Sequence, residues 1–204
     1  MAQMIGQPEK YFRELIPARD DLLLHLEAEA EREHIPIIGP VVGELLSILA
    51  GAVQAQKILE IGTATGYSTV YLARGCEPFN GRVVTLEHDS ERAARAEQNL
   101  LKAGLGKRVK VRVADALEAL SRMEDQFDLI FIDIEKKDYV KALPACRRLL
   151  RKGGLLVADN VGFMDADEFN RTICNHPAWK SISLFSFLPL HSPENDALCI
   201  ALRQ

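Results

Sequence analysis

The sequence predicts an α/β fold: a seven-stranded, mostly parallel sheet with one antiparallel strand, helices on both faces and extra N-terminal helices. Three observations carry this expectation. Lys57–Thr69, Lys-Ile-Leu-Glu-Ile-Gly-Thr-Ala-Thr-Gly-Tyr-Ser-Thr, runs from an apolar strand into a glycine turn and on into a helix, the front of a βαβ unit. Further apolar runs alternate with helical segments as far as Ala158, the pattern of a parallel sheet covered by helices. The link 189–196 between the last two runs has no room for a crossover helix, and parallel neighbours need about a dozen residues or more, so these two strands pair antiparallel.

Composition narrows the class. The chain has 204 residues, enough for one domain with a full core, and 48% of them are hydrophobic, so it folds rather than staying disordered. The formal net charge is −4 and no basic tract stands out, which argues against a nucleic-acid partner. No apolar run approaches the roughly 20 residues that span a bilayer. Residues 1–6 have no basic stretch followed by an apolar one, so no signal peptide is expected there. Cys76, Cys146, Cys174 and Cys199 are far apart and form no CxxC, which predicts reduced thiols in a cytoplasmic protein and no zinc site.

In chain order, residues 8–33 mix charges of both signs with Leu22, Leu23, Leu24 and Leu26 and read as an amphipathic helix, a cover for the sheet or for a second subunit. Pro36, Gly39 and Pro40 punctuate the chain before the apolar helix Val41–Ala50. One domain is expected over 1–204, with 1–50 as a helical cover and 51–204 as the core. In the turn after Ile61, glycines let the backbone approach a ligand, and the start of the helix offers unpaired N–H groups. The glycines are Gly62 and Gly66, which is not the G-x-G-x-x-G of dinucleotide sites, and no Gly-Lys-Ser/Thr follows to make a P-loop. Glu60 would repel a pyrophosphate but suits a cationic ligand end.

Arg82–Glu87 is the second strand, and its terminal Glu87 can accept two hydrogen bonds from ribose hydroxyls, a feature that nicotinamide enzymes share. His88 follows. Asp89 or Ser90 can cap the next helix, and Gly104 can end it. Arg108–Val113 is the third strand, and Asp115 behind it is either a ligand contact or the N-cap of a helix over 116–120. Phe127–Asp133 is the strongest strand, apolar enough to be buried on both faces. A helix over 139–150, a turn at Lys152-Gly153-Gly154 and a fifth strand, Leu155–Ala158, come next. Asp159 and Asn160 end that strand. A helix over 167–175 and strands at 180–188 and 197–203 complete the chain.

Ligands of open α/β sheets bind beyond the carboxyl ends of the strands. Glu60 and Gly62, then Asp133, then Asp159 with Asn160 stand there. Two carboxylates and an amide oxygen make a hard-oxygen set that suits Mg²⁺ or a similar divalent cation better than zinc. Mg²⁺ keeps several positions for water or substrate. Taken singly, each of these residues also has a plain reading, a cap or a turn at Asp159-Asn160, and Lys136, just beyond Asp133, reads equally as a surface lysine.

The segment Glu-x-Gly-x-x-x-Gly-Tyr-Ser resembles the first motif of class I S-adenosylmethionine (SAM) methyltransferases, a Rossmann-like family. More narrowly, Asp133-Ile-Glu-Lys136 and the pair Asp159-Asn160 are similar to the Asp-x-x-Lys and Asp-Asn segments of its small cation-dependent O-methyltransferases, the catechol and caffeoyl-CoA type. The likeness covers about residues 36–160. It implies SAM as cofactor, held by Glu60, Gly62, Thr63, Gly66, Ser68, Glu87, His88, Asp115, Ala116 and Asp133. It implies a divalent cation on Asp133, Asp159 and Asn160, and a catalytic pair of Asp133 and Lys136, with Lys136 as base or electrostatic partner of the reacting hydroxyl. A small-molecule acceptor and a homodimer are also implied.

The segment after Asn160 is shorter than in that family, where a longer stretch helps build the acceptor pocket, and the N-terminal region is also unlike it. Phe163 and Trp179 are expected in ordinary core or surface packing, and His191 as a solvated histidine in a polar loop. Other readings stay open at this stage: a methyltransferase without metal, a nicotinamide-linked oxidoreductase, or a SAM-binding protein without catalysis.

Overall fold

The computed structural model describes residues 2–204. Its elements are α1 (Pro8–Glu14), α2 (Asp21–Glu33), α3 (Gly39–Ala52), β1 (Lys57–Ile61), α4 (Tyr67–Gly75), β2 (Arg82–Glu87), α5 (Ser90–Lys102), β3 (Val109–Val113), α6 (Ala116–Arg122), β4 (Phe127–Ile132), α7 (Tyr139–Leu149), β5 (Leu150–Ala158), α8 (Asp167–Asn175), β6 (Trp179–Phe187) and β7 (Asn195–Arg203). The strands form one seven-stranded sheet in the order β3-β2-β1-β4-β5-β7-β6. All neighbours pair parallel except at β7, which runs antiparallel to both β5 and β6. The predicted architecture, with its single antiparallel strand, is therefore the observed one.

The central strands are buried on both faces, which is why β4 reads as a continuous apolar run. Alternate residues go to opposite sides. Leu129, Phe131 and Val157 pack with Val42 and Leu46 of α3 and Val70 and Leu72 of α4. Ile130, Ile132, Leu156 and Ala158 pack with Tyr139 and Leu143 of α7 and Phe169 of α8. Phe131 and Ile132 are fully buried, and each such side chain contributes roughly 1.5–3 kcal/mol. The chain leaves β1 toward β2 on one side and later returns to β4 on the other. The crevice where an open sheet binds ligands lies at that switch point.

Two expectations about elements are corrected. The N-terminal region is two helices, α1 and α2, not one over 8–33. Pro17 sits in the break; proline has no N–H for the helical ladder and its ring clashes with the preceding turn. Asp20 then caps α2 by accepting from the Leu23 N–H at 3.0 Å. β5 also begins earlier than Leu155. It takes in Gly153 and Gly154, and its register against β4 shifts between Phe127 and Leu129, so the glycines sit in a strand irregularity instead of a free turn.

α2 is tied to the core by polar contacts. The Tyr67 hydroxyl donates to Glu27 at 2.7 Å, Arg19 pairs with the same carboxylate, and Arg95 of α5 reaches Glu29 and Glu33. The segment 35–38, which follows α2, lies beside the ends of β1 and β2.

Candidate active site

A cavity of about 420 Å³ opens beyond the carboxyl ends of β1, β2 and β4, and its wall includes Gly62, Thr63, Ser68, Glu87, Asp115, Asp133, Lys136, Asp159 and Asn160. Local rules bring these residues there. β1 ends in a turn whose backbone has to pass very close to β4: Gly62 has φ 101°, and a Cβ on it would lie 1.9 Å from the Asp133 carbonyl oxygen. Only glycine fits such a crossing. The Gly62 N–H donates to the Leu86 carbonyl at 3.0 Å, and the Asp133 N–H to Ile61 at 2.8 Å, so the ends of β1, β2 and β4 are locked in step. Gly66 is the N-cap of α4 and does not itself line the cavity.

Glu87, at the end of β2, accepts from the Ala64 N–H at 2.9 Å and from the Asp89 N–H at 3.0 Å. His88 lies beside it with its ring in solvent. Asp115 does two things at once. Its carboxylate accepts from the Glu118 N–H at 2.9 Å and caps α6, and the residue also lines the cavity with Ala116.

Glu60 differs from its expected place. It is fully buried, accepts from the hydroxyls of Ser68 at 2.6 Å and Thr69 at 2.5 Å, and does not line the cavity. Ser68 stands between it and the open space. Burial pushes its carboxyl up to about 7, against the pull of the hydroxyl donors. The Thr63 and Thr85 hydroxyls meet at 2.5 Å behind the same turn.

Asp133 and Lys136 face each other, Nζ to Oδ1 at 3.0 Å, with Nζ 5.7 Å from the centre of the Tyr139 ring. Burial and the neighbouring Asp159 raise the Asp133 carboxyl above its usual range, and Lys136 opposes that shift. Asp159 is buried at the end of β5. Both its oxygens lie 3.0 Å from His191 Nε2. Asn160 adopts φ 49°. Its amide Nδ2 donates to Asp196 at 2.6 Å and to the Ser192 carbonyl at 3.3 Å. Among the described residues nothing donates to its Oδ1, so that oxygen is left to accept from or ligate something else.

Asp133, Asp159 and Asn160 thus present hard oxygens to one cavity, and by donor chemistry they fit a divalent cation of the Mg²⁺ kind. Among the described residues no set of three His, Cys, Asp or Glu side chains could hold a metal; the third donor here is an amide.

Residues 20–172 match the O-methyltransferase family model. The chain belongs to the O-methyltransferase family. Over 165 residues this O-methyltransferase is 39% identical to a catechol O-methyltransferase of Niastella koreensis, covering 78% of this chain and 74% of the relative. Over 120 residues it is 48% identical to a catechol O-methyltransferase of Mycobacterium tuberculosis; that match covers 58% of this chain and 54% of the relative, about half its length. The O-methyltransferase of Bacillus cereus, solved in complex with SAH, superposes with a TM-score of 0.85 at 29% identity over 96% of each chain.

In this O-methyltransferase the structure also brings in residues that sequence reasoning passed over. The expectation of a solvated His191 is overturned: the side chain is 1% exposed. Its ring bonds Asp159 on one side and the Pro193 carbonyl on the other, at 2.6 Å from Nδ1. Those acceptors hold its pKa above the ordinary value although burial pulls the other way. Asp196 is buried too and accepts from Asn160 and the Gly162 and Ala197 N–H groups. Nothing in the sequence near either residue signals these contacts. The segment 35–38 also lines the cavity. Trp179 is in the core and Phe163 at the surface, and neither lines the cavity.

Proposed function

We propose that this O-methyltransferase moves the methyl group of S-adenosylmethionine to a hydroxyl of a small, catechol-like acceptor, assisted by a divalent cation. The observation that supports this reading best is the meeting of Asp133, Lys136, Asp159 and Asn160 with the β1–α4 glycine turn in one cavity. In this reading Gly62, Thr63, Gly66 and Ser68 form the cofactor's cradle, with Glu60 acting through Ser68. Glu87 and His88 meet the ribose, and Asp115 and Ala116 the base. Asp133, Asp159 and Asn160 would hold the cation; once bound, such an ion lowers the pKa of a hydroxyl that it touches. Lys136 as the neutral amine receives the proton of that hydroxyl, or as the ammonium stabilises the oxyanion left once the proton has passed to water. The remaining contribution is alignment: the acceptor oxygen is held in line with the methyl group.

A second reading, transfer without a cation, is favoured by one observation. Each carboxylate of the set already faces a basic side chain, Lys136 at Asp133 and His191 at Asp159. Methyl transfer from labelled SAM to a panel of catechols, run with Mg²⁺ and again with EDTA, separates the two. Product that needs the metal supports the first reading; product in both conditions supports the second; no product in either rejects the catechol acceptor.

The same proposal takes 1–204 as one domain with 1–50 as its cover, acting in the cytoplasm as a homodimer. Support for the dimer is the exposed apolar side of α1, with Tyr11 and Phe12, and of the chain just after it, with Leu15. No helix among the described residues is long and apolar enough to cross a membrane.

A further inference from the structure

The loop between β6 and β7 carries a buried histidine that the reaction described above does not use. His191 Nε2 is 3.0 Å from both oxygens of Asp159, and Nδ1 is 2.6 Å from the Pro193 carbonyl oxygen. A carbonyl oxygen can only accept, so Nδ1 donates to Pro193, and Nε2 is left facing the carboxylate. The ring is gripped from behind by its own loop and grips Asp159 in front. The loop is fastened as well. The Leu188 N–H donates to the Glu194 carbonyl, the Ser192 N–H to the Ile37 carbonyl at 3.2 Å, and the Ser192 carbonyl accepts from Asn160 Nδ2. Ile37 and Ser192 line the cavity. The side chains of both residues at the end of β5 are therefore oriented by a loop some thirty positions further on.

The geometry points to His191 as a positioning residue for methyl transfer: it fixes the Asp159 carboxylate in the cavity wall, where among the described residues no other side chain bonds that carboxylate. This rests on the reading that Asp159 serves the transfer. A purely stabilising role explains the arrangement less well. Taking a polar or charged pair out of water offsets most of its attraction, so such pairs contribute little net stability. Outer partners that orient a ligating or reacting carboxylate, by contrast, commonly matter by about 10- to 100-fold in affinity or activity.

The test compares the parent chain with His191→Phe, which fills the space without a donor, and His191→Gln, which keeps one N–H at similar reach. Three quantities are read: kcat/KM for the acceptor, SAH affinity by calorimetry, and Mn²⁺ affinity by electron paramagnetic resonance. His191→Phe is expected to lower acceptor kcat/KM and Mn²⁺ affinity by about 10- to 100-fold, with SAH affinity unchanged and His191→Gln recovering much of the loss. A His191→Phe enzyme equal to its parent overturns the proposal. So does a parallel loss of SAH affinity that His191→Gln does not repair, since that is damage to the fold. A parent that turns over but binds no Mn²⁺ removes the cation from the reading, and the acceptor kinetics then decide on His191 alone. A parent that binds Mn²⁺ but transfers nothing removes the acceptor class, and the Mn²⁺ affinities decide. A parent that does neither overturns both.

Discussion

Lys136 Nζ lies 3.0 Å from Asp133 Oδ1, three positions along the chain and beside the same cavity. The ammonium is a quarter or less exposed and is held between a carboxylate and the Tyr139 ring. A positive charge in so fixed and dry a place acts on a neighbouring oxyanion far more strongly than it does in water.

Replacing that charge is the direct check. Lys136→Met keeps the length of the side chain and the packing on Tyr139. It is expected to lower kcat by about 100-fold or more, the usual scale for a group that takes or balances a proton. SAM affinity is expected to stay near the parent value, because Lys136 lies beyond the β1–α4 turn proposed to cradle the cofactor. Steady-state rates with labelled SAM, together with calorimetric SAM binding, read both quantities. An unchanged kcat would take the lysine out of the chemistry.

Glu60 predicts a pH dependence of stability. Its carboxyl ordinarily titrates at 4.5, and in the fold burial pushes it up to about 7. Between those values the folded chain keeps a proton that the unfolded chain has released. Stability from this group is therefore complete below 4.5 and declines as the pH rises, with the loss complete above about 7. Glu60→Gln carries no charge, and the hydroxyls of Ser68 and Thr69 can turn to suit the amide. The variant is expected to match its parent near pH 4.5 and to exceed it at pH 8 by on the order of 1–3 kcal/mol. Urea unfolding of the ligand-free protein at the two pH values measures the difference. A variant less stable than its parent at pH 8 would contradict a carboxylate made costly by burial.

Much of this was legible in the sequence because much of it is local. β1, its glycine turn and α4 are written in adjacent residues, and so are Asp133 with Lys136 and Asp159 with Asn160. The antiparallel direction of β7 followed from the length of one loop. The break at Pro17 has only a weak local signal: proline interrupts a helical pattern, but the mixed charges and the leucines of 22–26 continue that pattern across it. His191 and Asp196 were not legible. Their partners, Asp159 and Asn160, are 32 and 36 positions away, and nothing between Leu190 and Ser192 distinguishes a buried donor from a solvated ring. Glu60 shows a second limit. Its strand-end position was readable, but whether its carboxylate faced the cavity depended on where Ser68 and Thr69 would turn.

The crossing of Gly62 over β4 gives the last prediction. Gly62 and Gly104 both have positive φ, 101° and 73°. A Cβ at Gly104 would meet nothing within 4 Å, whereas at Gly62 it would lie 1.9 Å from the Asp133 carbonyl oxygen. Gly104→Ala therefore carries only the cost of a left-handed backbone, about 1–2 kcal/mol. Gly62→Ala carries that cost and must also part the turn after β1 from the end of β4. That strains the Asp133 N–H bond to Ile61 and moves Asp133 away from Asp159. A loss of about 4 kcal/mol or more is expected, on the scale of the severe overpacking and backbone cases. Denaturant unfolding of the two variants side by side reads the contrast; both positions have positive φ, so much of the backbone cost is shared and the excess at Gly62 reports mainly the crossing. If Gly62→Ala costs no more than Gly104→Ala, β1 and β4 do not approach as closely as described, and Asp133 is not held in place by that turn.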